Sequence, residues 1–494
     1  MKIEDITSRE NNRVLLRELQ DNDWIANCNS MRLCDETYYP EDDAYVVSNE
    51  KELVSIGYYL GNNTSLRELR LSFYLGEAGM FEDVFKEEQD AFVKGLNNNR
   101  HIEKIVFDGL ERHNGKLFTK MVPFFENNNN LTCIEVSSCD LLTEGYRLLS
   151  KALVCCKSLK HINIDIDDAL YSFRINVGQM MSVIESLGKL PLLETVEIQS
   201  MIIEPYYMGS ARQECVALST LLQNSSGIRT LMLANNEIRN DGVEALSKGI
   251  STSQLHKLSL RVNHIGDSGV EVLVDALRIN NTLRYLDLSN NYIKSKGLLA
   301  LSTLLEHPDS NLEELVLDRM TIGDDGALNF AKALKNNHSL KRLTVGTQHQ
   351  HKIKAKGWNA FETLLCDRSS VDATFLSNHT LASLDYWGTD LADITHDGGI
   401  PIAVESSLVT NRFPDKVWVA KMKVLSAHPT LDMTPLFEWE LKALPYATTW
   451  FDETPSLPSL RKLQVIYQFI RTLPGELEGV YNRGVVGSKR KAVS

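Results

Sequence analysis

One pattern recurs four times between Ile228 and Leu334. It reads IRTLMLANNEIRNDGVEALSKGI (228–250), LHKLSLRVNHIGDSGVEVLVDAL (255–277), LRYLDLSNNYIKSKGLLALSTLL (283–305) and LEELVLDRMTIGDDGALNFAKAL (312–334). The units open at residues 228, 255, 283 and 312, so the steps are 27, 28 and 29 residues. Each unit has an LxxLxL core, a turn, a glycine fourteen residues after the opening residue and then an apolar stripe. Four copies in phase indicate a repeat architecture.

Within each unit the pattern predicts a strand, a turn and a helix. The apolar residues of LxxLxL alternate, so we expect a strand with one buried face and complete burial of Leu286 and Leu288. The asparagines at the ninth position (Asn236, Asn263 and Asn291) can satisfy backbone groups of the turn that follows. Apolar residues at the eighteenth and twenty-second positions after the opening lie on one face of a helix.

These units predict a curved solenoid. No unit can bury its strand face and helix face alone, so neighbours must stack into a continuous core. Helices need about twice the lateral room of strands, which lie ~4.8 Å apart in a sheet. We therefore expect an α/β fold, a right-handed horseshoe with a parallel β-sheet on the concave side and helices on the convex side.

The same residues resemble the ribonuclease-inhibitor type of leucine-rich repeat. That repeat type has the same order of strand, Asn, turn, Gly and helix, and it alternates 28 and 29 residues. The resemblance covers roughly residues 60–390 and implies the fold far more than the function.

The chain divides into four predicted regions. We expect an N-terminal cap at 1–60, the ribonuclease-inhibitor-like solenoid at 61–390, a helical C-terminal cap at 391–480 and a disordered tail at 481–494. The solenoid has ten clear units and one degenerate unit near residues 371–386. The ten units open at Leu66, Ile102, Leu131, Leu159, Leu193, Ile228, Leu255, Leu283, Leu312 and Leu340.

Three helical segments are predicted in the C-terminal region. They span Lys416 to His428, Thr434 to Trp450 and Pro458 to Leu473. Shielding of the last repeat is the first interpretation of this region, and a helical docking module is the alternative.

Composition excludes several classes of partner. The chain has 494 residues and a net charge of −13, which argues against broad binding to nucleic acid or to an anionic membrane. The charged N-terminus lacks the apolar run of a signal peptide, and no apolar stretch reaches the ~18 residues of a membrane helix. We expect a soluble cytoplasmic protein, and Lys489 to Lys491 leaves nuclear import open.

A search for catalytic chemistry yields little. HExxH, GxSxG, GxxxxGK[ST], GxGxxG after a strand and paired CxxC are all absent from the sequence. His349 and His351 form an HxH pair without an evident acidic or Cys partner, and we expect a solvated loop there. We predict no metal, no cofactor, no small-molecule substrate and no enzymatic activity.

The concave sheet is the candidate binding surface. Side chains two, four and six residues after each opening should point to it. Their mixed charges and one aromatic ring suit a protein partner better than a nucleic acid or a membrane. Ordinary solvated strand positions are the alternative interpretation for each residue. The predicted partner-binding residues are Lys257, Arg261, Tyr285, Asp287, Glu314, Asp318 and Arg342.

The predicted function is a non-enzymatic protein-binding scaffold or adaptor. The alternative is a GTPase-activating protein similar to the Ran GTPase activators, whose activity is attributed to an Arg in a loop after a strand. Arg112, Arg239 and Arg319 hold such positions, but the basic tail departs from the acidic tail of that family. Ribonuclease inhibition is disfavoured, because inhibitors of this class are rich in Cys and strongly acidic on the concave face.

Overall fold

The computed structural model describes most of the chain in thirteen stretches. They are residues 3–21, 30–35, 44–47, 49–72, 86–109, 116–139, 141, 143–165, 180–200, 211–320, 322–347, 353–385 and 400–429. The chain forms two compact units, residues 1–358 with 383–400, and residues 359–382 with 401–494.

The first unit contains one open parallel β-sheet. Its thirteen strands among the described residues follow the order β13-β12-β11-β10-β9-β8-β7-β6-β5-β4-β3-β1-β2. The strands are β1 (Ser30–Asp35), β2 (Ala44–Val47), β3 (Glu68–Ser72), β4 (Lys104–Asp108), β5 (Cys133–Ser137), β6 (His161–Asp165), β7 (Thr195–Gln199), β8 (Thr230–Met232), β9 (Lys257–Ser259), β10 (Tyr285–Asp287), β11 (Glu314–Met320), β12 (Arg342–Thr347) and β13 (Ser383–Asp385).

Helices alternate with the strands, and the helices of successive units pack side by side. A short 3-10 helix at Ile3–Asp5 precedes them. They are α1 (Glu10–Asp21), α2 (Glu50–Asn62), α3 (Lys86–Leu96), α4 (Lys116–Lys120), α5 (Val122–Asn127), α6 (Thr143–Leu153), α7 (Met181–Leu187), α8 (Arg212–Asn224), α9 (Arg239–Thr252), α10 (Asp267–Ile279), α11 (Ser295–Glu306), α12 (Gly323–Leu334), α13 (Ala355–Leu365), α14 (Val371–Phe375), α15 (Ile402–Asn411) and α16 (Lys416–Ala427).

The predicted repeat register is confirmed. Each of β3 to β12 begins two residues after one of the ten predicted openings, and β13 begins two residues after Leu381 in the degenerate unit. Leu286 and Leu288 are both 0% exposed. The chain therefore has the predicted α/β solenoid fold, with the parallel sheet on its concave side.

The asparagine at the ninth position joins neighbouring units. Asn263 is 0% exposed, and its Oδ1 accepts the backbone N–H of Asn236 at 2.9 Å and that of Ile238 at 3.3 Å. Its Nδ2 donates to the carbonyl oxygen of Leu233 at 2.6 Å. Asn291 does the same for the unit of Asn263, with Oδ1 accepting from the Asn263 N–H at 3.0 Å. The ladder satisfies buried turn groups of the preceding unit as well as its own.

A second structural asparagine lies three residues before the opening of several units. Asn99 shows its role, because its Nδ2 donates to the Leu60 carbonyl at 2.6 Å while its Oδ1 accepts the Ile102 N–H at 3.0 Å. The amide thereby links the end of one helix to the start of the next strand. Oδ1 accepts a backbone N–H two or three residues on at the equivalent Asn63, Asn128, Asn280, Asn337 and Asn378.

The repeated glycine permits capping by the neighbouring unit. The Asn240 Oδ1 accepts the N–H of Gly266 at 2.8 Å and that of Gly269 at 3.2 Å, so it caps helix α10 from outside its own unit. A Cβ atom at Gly269 would lie 2.6 Å from that oxygen. Asp267 caps α11 in the same way through Gly297. Glycine occupies this position because the capping oxygen of the neighbouring unit lies too close to leave room for a Cβ atom.

The N-terminal region extends the sheet, with β1 paired to β3 and β2 at the edge. An exposed strand edge invites pairing with other chains. Here the Asn12 side chain covers that edge, since its Nδ2 donates to the Val46 carbonyl at 2.7 Å and its Oδ1 accepts the Val46 N–H at 3.1 Å. The amide takes the place of a further strand.

Helix α15 is one of the described helices of the second unit that the sequence pattern did not predict. Helix α16 matches the predicted segment at residues 416–428, whereas α15 has no predicted counterpart. Asn411 at the end of α15 donates to the carbonyl oxygens of Asn378 at 3.2 Å and Leu381 at 2.7 Å. This repeats the contact of the second asparagine position. The predicted helices at 434–450 and 458–473 and the tail lie outside the described residues.

A lysine is buried in the second unit. The Lys423 side chain is 4% exposed, and its Nζ donates to the carbonyl oxygens of Leu365 at 2.6 Å and Asn378 at 3.0 Å. Burial lowers the pKa of this amine from 10.5 to about 7. A neutral amine has two N–H donors, which match the two carbonyl acceptors.

This lysine predicts a pH dependence of stability. The folded-state pKa lies below the unfolded value, so the unfolded chain binds more protons between pH 7 and 10.5, and stability rises with pH in that window. We expect Lys423→Met to flatten this rise, whereas Met at exposed Lys335 leaves it unchanged. Urea unfolding from about pH 6 to about pH 10 measures both, and parallel profiles for wild type and Lys423→Met would contradict the prediction.

Candidate protein-binding surface

In-register strands arrange the concave side chains in rows. Lys257, Tyr285, Glu314 and Arg342 are successive partners on β9, β10, β11 and β12. Neighbouring strands lie ~4.8 Å apart, so side chains of one row can reach each other. A charged side chain that already forms an ion pair within the sheet is less available to a binding partner than an unpaired one.

At the N-terminal end of the sheet, charges are neutralised internally. The Asp108 carboxylate lies 3.8 Å from a guanidinium nitrogen of Arg32 and 3.6 Å from one of Arg70. The Ser72 hydroxyl also donates to Asp108 at 3.3 Å. These groups form a closed network on β1, β3 and β4.

The next strands show the same internal pairing. The Nζ atom of Lys104 lies 3.6 Å from a carboxylate oxygen of Glu68 and 3.0 Å from one of Glu135. Partial burial lowers the pKa of Lys104, but the two carboxylates raise it and together outweigh the burial. The lysine is therefore held between two acids.

Two predicted residues pair at the C-terminal end. The Arg342 Nε atom donates to a carboxylate oxygen of Glu314 at 2.9 Å, and a second guanidinium nitrogen contacts the same oxygen. The fork neutralises both charges on β11 and β12. Arg342 is exposed and Glu314 is half-buried.

The centre of the sheet differs from both ends. Among the described residues, the side chains of Lys257, Arg261 and Glu197 make no ion pair and no side-chain hydrogen bond. Lys257 is exposed, while Arg261 and Glu197 are half-buried. The in-register neighbours of Lys257 explain its state, because it lies between Thr230 and Tyr285, neither of which is an acid.

Tyr285 lies beside these unpaired charges and is half-buried. Burial and the charges of Asp287 and Glu314 raise its pKa to about 12, with Arg261 acting in the opposite direction. The phenol therefore stays neutral at physiological pH and can donate or accept a hydrogen bond. Such half-buried tyrosines are common anchors of protein interfaces.

Asp287 is placed differently from the sequence expectation. Its side chain is 6% exposed, accepts the Ser259 hydroxyl at 3.3 Å and accepts the Ser289 N–H at 2.9 Å. The short carboxylate folds onto its own turn, so it offers a partner little area. Asp318 is half-buried, and its Oδ1 accepts the N–H of Arg319 at 2.9 Å.

Sequence reasoning overlooked Asn163. It lies between Glu135 and Glu197 in the register of β5, β6 and β7. Its Oδ1 atom is buried and has no hydrogen-bond partner in the described structure. The available signal was its place four residues after the opening at Leu159.

Of the other sequence candidates, Arg239 and Arg319 lie in the described part of the chain. Arg239 donates to Glu237 at 3.2 and 3.3 Å, and Arg319 lies near the end of β11. Arg112, His349 and His351 lie outside the described residues. Within the described part of the chain, no group of three or more His, Cys, Asp or Glu could hold a metal ion.

The thirteen-stranded parallel sheet, its outer helices and the asparagine ladder define a leucine-rich-repeat solenoid. Three segments match the family model described as Leucine Rich repeat, at residues 226–247, 254–274 and 280–302. The chain is therefore built from leucine-rich repeats, and it is similar in sequence to the ribonuclease inhibitors.

Several known proteins share this similarity. The mouse NACHT, LRR and PYD domains-containing protein 14 is 25% identical over 325 residues, which cover 62% of this chain and 28% of that protein. Mouse ribonuclease inhibitor is 29% identical over 181 residues, which cover 36% of this chain and 37% of the inhibitor. The chain thus spans well under half of either relative.

A solved structure also aligns with the chain. It is the crystal structure of the TLR13–ssRNA13 complex, with a TM-score of 0.36, 14% identity and coverage of 73% of this chain and 49% of that one. Among the residues the structure describes, no helix is both long enough and apolar enough to cross a membrane.

Proposed function

We propose that this protein is a non-enzymatic, cytoplasmic adaptor that binds another protein on the concave face of its repeats. The observation that carries the proposal is the distribution of unpaired charge. Ion pairs neutralise the face at both ends, while Lys257 and Arg261 beside Tyr285 make no ion pair among the described residues. Arg and Tyr are enriched among the residues that dominate binding energy in protein interfaces.

The charge pattern supports a protein as the partner. A nucleic acid needs clustered Lys and Arg to neutralise its phosphates. The chain carries a net charge of −13, and acids are interspersed with bases across the face. A polypeptide can present both signs of charge, so it can complement such a face.

The remaining regions have supporting roles in this proposal. Residues 1–60 cap the first repeat, as the Asn12 contact to the sheet edge suggests. The region after the solenoid caps the last repeat. No cofactor takes part, because complementarity of shape and charge suffices for binding.

Photo-crosslinking tests the proposal. A photoreactive residue replaces Tyr285 in one variant and the exposed Lys248 of helix α9 in a matched control. Crosslinked material from the native cells is identified by mass spectrometry. We expect one protein to be captured from position 285 and not from 248.

Charge reversal sharpens the same test. Lys257→Glu with Arg261→Glu should abolish capture from position 285, because both unpaired cations change sign. Capture only from 248, or undiminished capture by the reversed variant, would contradict binding on the concave face.

A further inference from the structure

We propose that the partner presents a cationic side chain to Glu197 and Asn163 and an anionic side chain to Lys257 and Arg261. This inference rests on the proposed function and adds the chemistry of the partner. The concave face would then bind a polypeptide segment with charges of both signs. The basic part of that segment would lie over β6 and β7, and its acidic part would lie over β9.

The β6–β7 end supplies hydrogen-bond acceptors, and no cation of the described residues forms an ion pair with them. Glu197 makes no ion pair among the described residues, and the buried Oδ1 of Asn163 lacks a hydrogen-bond partner there. The neighbouring Glu135 is already bound to Lys104 at 3.0 Å. Two acceptors therefore lie side by side on adjacent strands, and neither is used by a donor of the described chain.

The electrostatics of Glu197 agree with this assignment. Burial and the charge of Glu135 raise the pKa of the Glu197 carboxyl, while His161 and Lys257 lower it by a smaller amount. An ionised carboxylate in such surroundings gains stability from an approaching cation. A guanidinium group suits the site, because its fork can reach a carboxylate and an amide oxygen together.

The β9 end supplies cations that form no ion pair with any acid of the described residues. Lys257 has Thr230 and Tyr285 as in-register neighbours, and Arg261 lies four residues further along the same segment. The acids of the next strands are engaged elsewhere. Asp287 bonds to Ser259 and Ser289, and Glu314 bonds to Arg342. An external carboxylate is the missing complement.

The distance between the two charged ends determines how many residues separate the opposite charges of the partner segment. Glu197 on β7 is in register with Ser259 on β9, and Lys257 lies two residues before Ser259, so the two charges are roughly 12 Å apart. An extended polypeptide covers that distance in about four residues. A single strand of nucleic acid offers phosphates to both ends and would meet repulsion at Glu197.

Synthetic peptides test the charge motif directly. Three fluorescein-labelled peptides share one uncharged three-residue spacer and differ at their ends, as Arg-Arg with Asp-Asp, Arg-Arg at both ends and Asp-Asp at both ends. A uridine decamer serves as the nucleic-acid probe. Fluorescence anisotropy at low salt measures each affinity for the full chain.

We expect the bipolar peptide to bind at least about tenfold more tightly than the other probes. Glu197→Lys and Lys257→Glu should each weaken that binding by about tenfold. Combining Glu197→Lys with Lys257→Glu and Arg261→Glu reverses the charge at both ends, so this triple variant should regain bipolar binding because the peptide can bind in reverse. The matched control is Glu271→Lys on the exposed face of α10, which should change nothing.

Recovery in the triple variant also separates a charge effect from misfolding. Equal binding of all three peptides, absence of binding, failure of the triple variant to recover, or equal binding of the uridine decamer would overturn the bipolar motif. If capture from position 285 persists in those cases, the adaptor proposal stands and the charge motif alone is wrong. If the bipolar peptide binds as expected and capture fails, the adaptor proposal is the one that falls.

Discussion

Replacing Asn263 with Ala is expected to lower the free energy of unfolding by about 3–5 kcal/mol. The amide is 0% exposed and bonds to backbone groups of two units, with distances of 2.6, 2.9, 3.0 and 3.3 Å. Alanine would leave two buried N–H groups and the buried Leu233 carbonyl without this partner, while the Arg261 carbonyl keeps the N–H of Asn235. Each such group costs about 1–3 kcal/mol, partly relieved where water enters. Urea denaturation measures the loss.

Two further substitutions test whether the loss at Asn263 comes from its buried hydrogen bonds. Asn281→Ala removes an exposed asparagine just before the next unit opens and should change stability by less than about 0.5 kcal/mol. Asn263→Asp keeps an acceptor but loses the two donors and buries a charge, so it should be as damaging as Ala. A loss below about 1 kcal/mol for Asn263→Ala would mean that the ladder does not join the units.

Leu286→Ala is expected to cost about 2–5 kcal/mol. The side chain is 0% exposed on β10, which lies between β9 and β11 in the sheet. Truncation removes buried apolar surface and leaves a cavity that parallel strands on both sides prevent from closing. Thermal or urea unfolding with the same slope as wild type would report the loss.

The matched control for this variant is Leu299→Ala in the same repeat. Leu299 lies on helix α11 and is 53% exposed, so its truncation should cost less than about 1 kcal/mol. Similar losses for Leu286 and Leu299 would show that burial is assigned to the wrong face of the strand.

The repeat architecture could be predicted because each of its signals is local. Alternation at Leu286 and Leu288, the Asn at 263 and the stripe at Leu273 and Leu277 all fall within one unit and recur in phase. Strand bounds followed from the openings, since side chains alternate between the faces of a strand. The degenerate unit at Leu381 was detectable for the same reason.

The N-terminal strands and helix α15 could not be predicted in this way. Residues 30–47 include two strands without a repeated pattern, and β2 is placed by the distant Asn12. Helix α15 lacks a strong apolar stripe. Its correspondence to the helices of the repeats is recognisable only from the contact of Asn411 with Leu381.

The binding surface was predicted as a set of positions and not as a set of free charges. Periodicity placed Lys257, Arg261 and Tyr285 on the concave face as candidates for a partner, and all three are at least partly exposed. It placed Asp287 and Glu314 there with equal weight, although one folds onto its turn and the other pairs with Arg342.

The sequence by itself determined the repeat, its register and its buried faces, because these depend on spacing along one chain segment. Only the tertiary structure decided which charged side chains form ion pairs within the sheet and which remain unpaired. Lys104 is neutralised by Glu68 and Glu135, which are 36 and 31 residues away, whereas Lys257 has no acid in register. Ion pairing depends on which strands become neighbours and on distances of a few ångströms, and no local pattern encodes either.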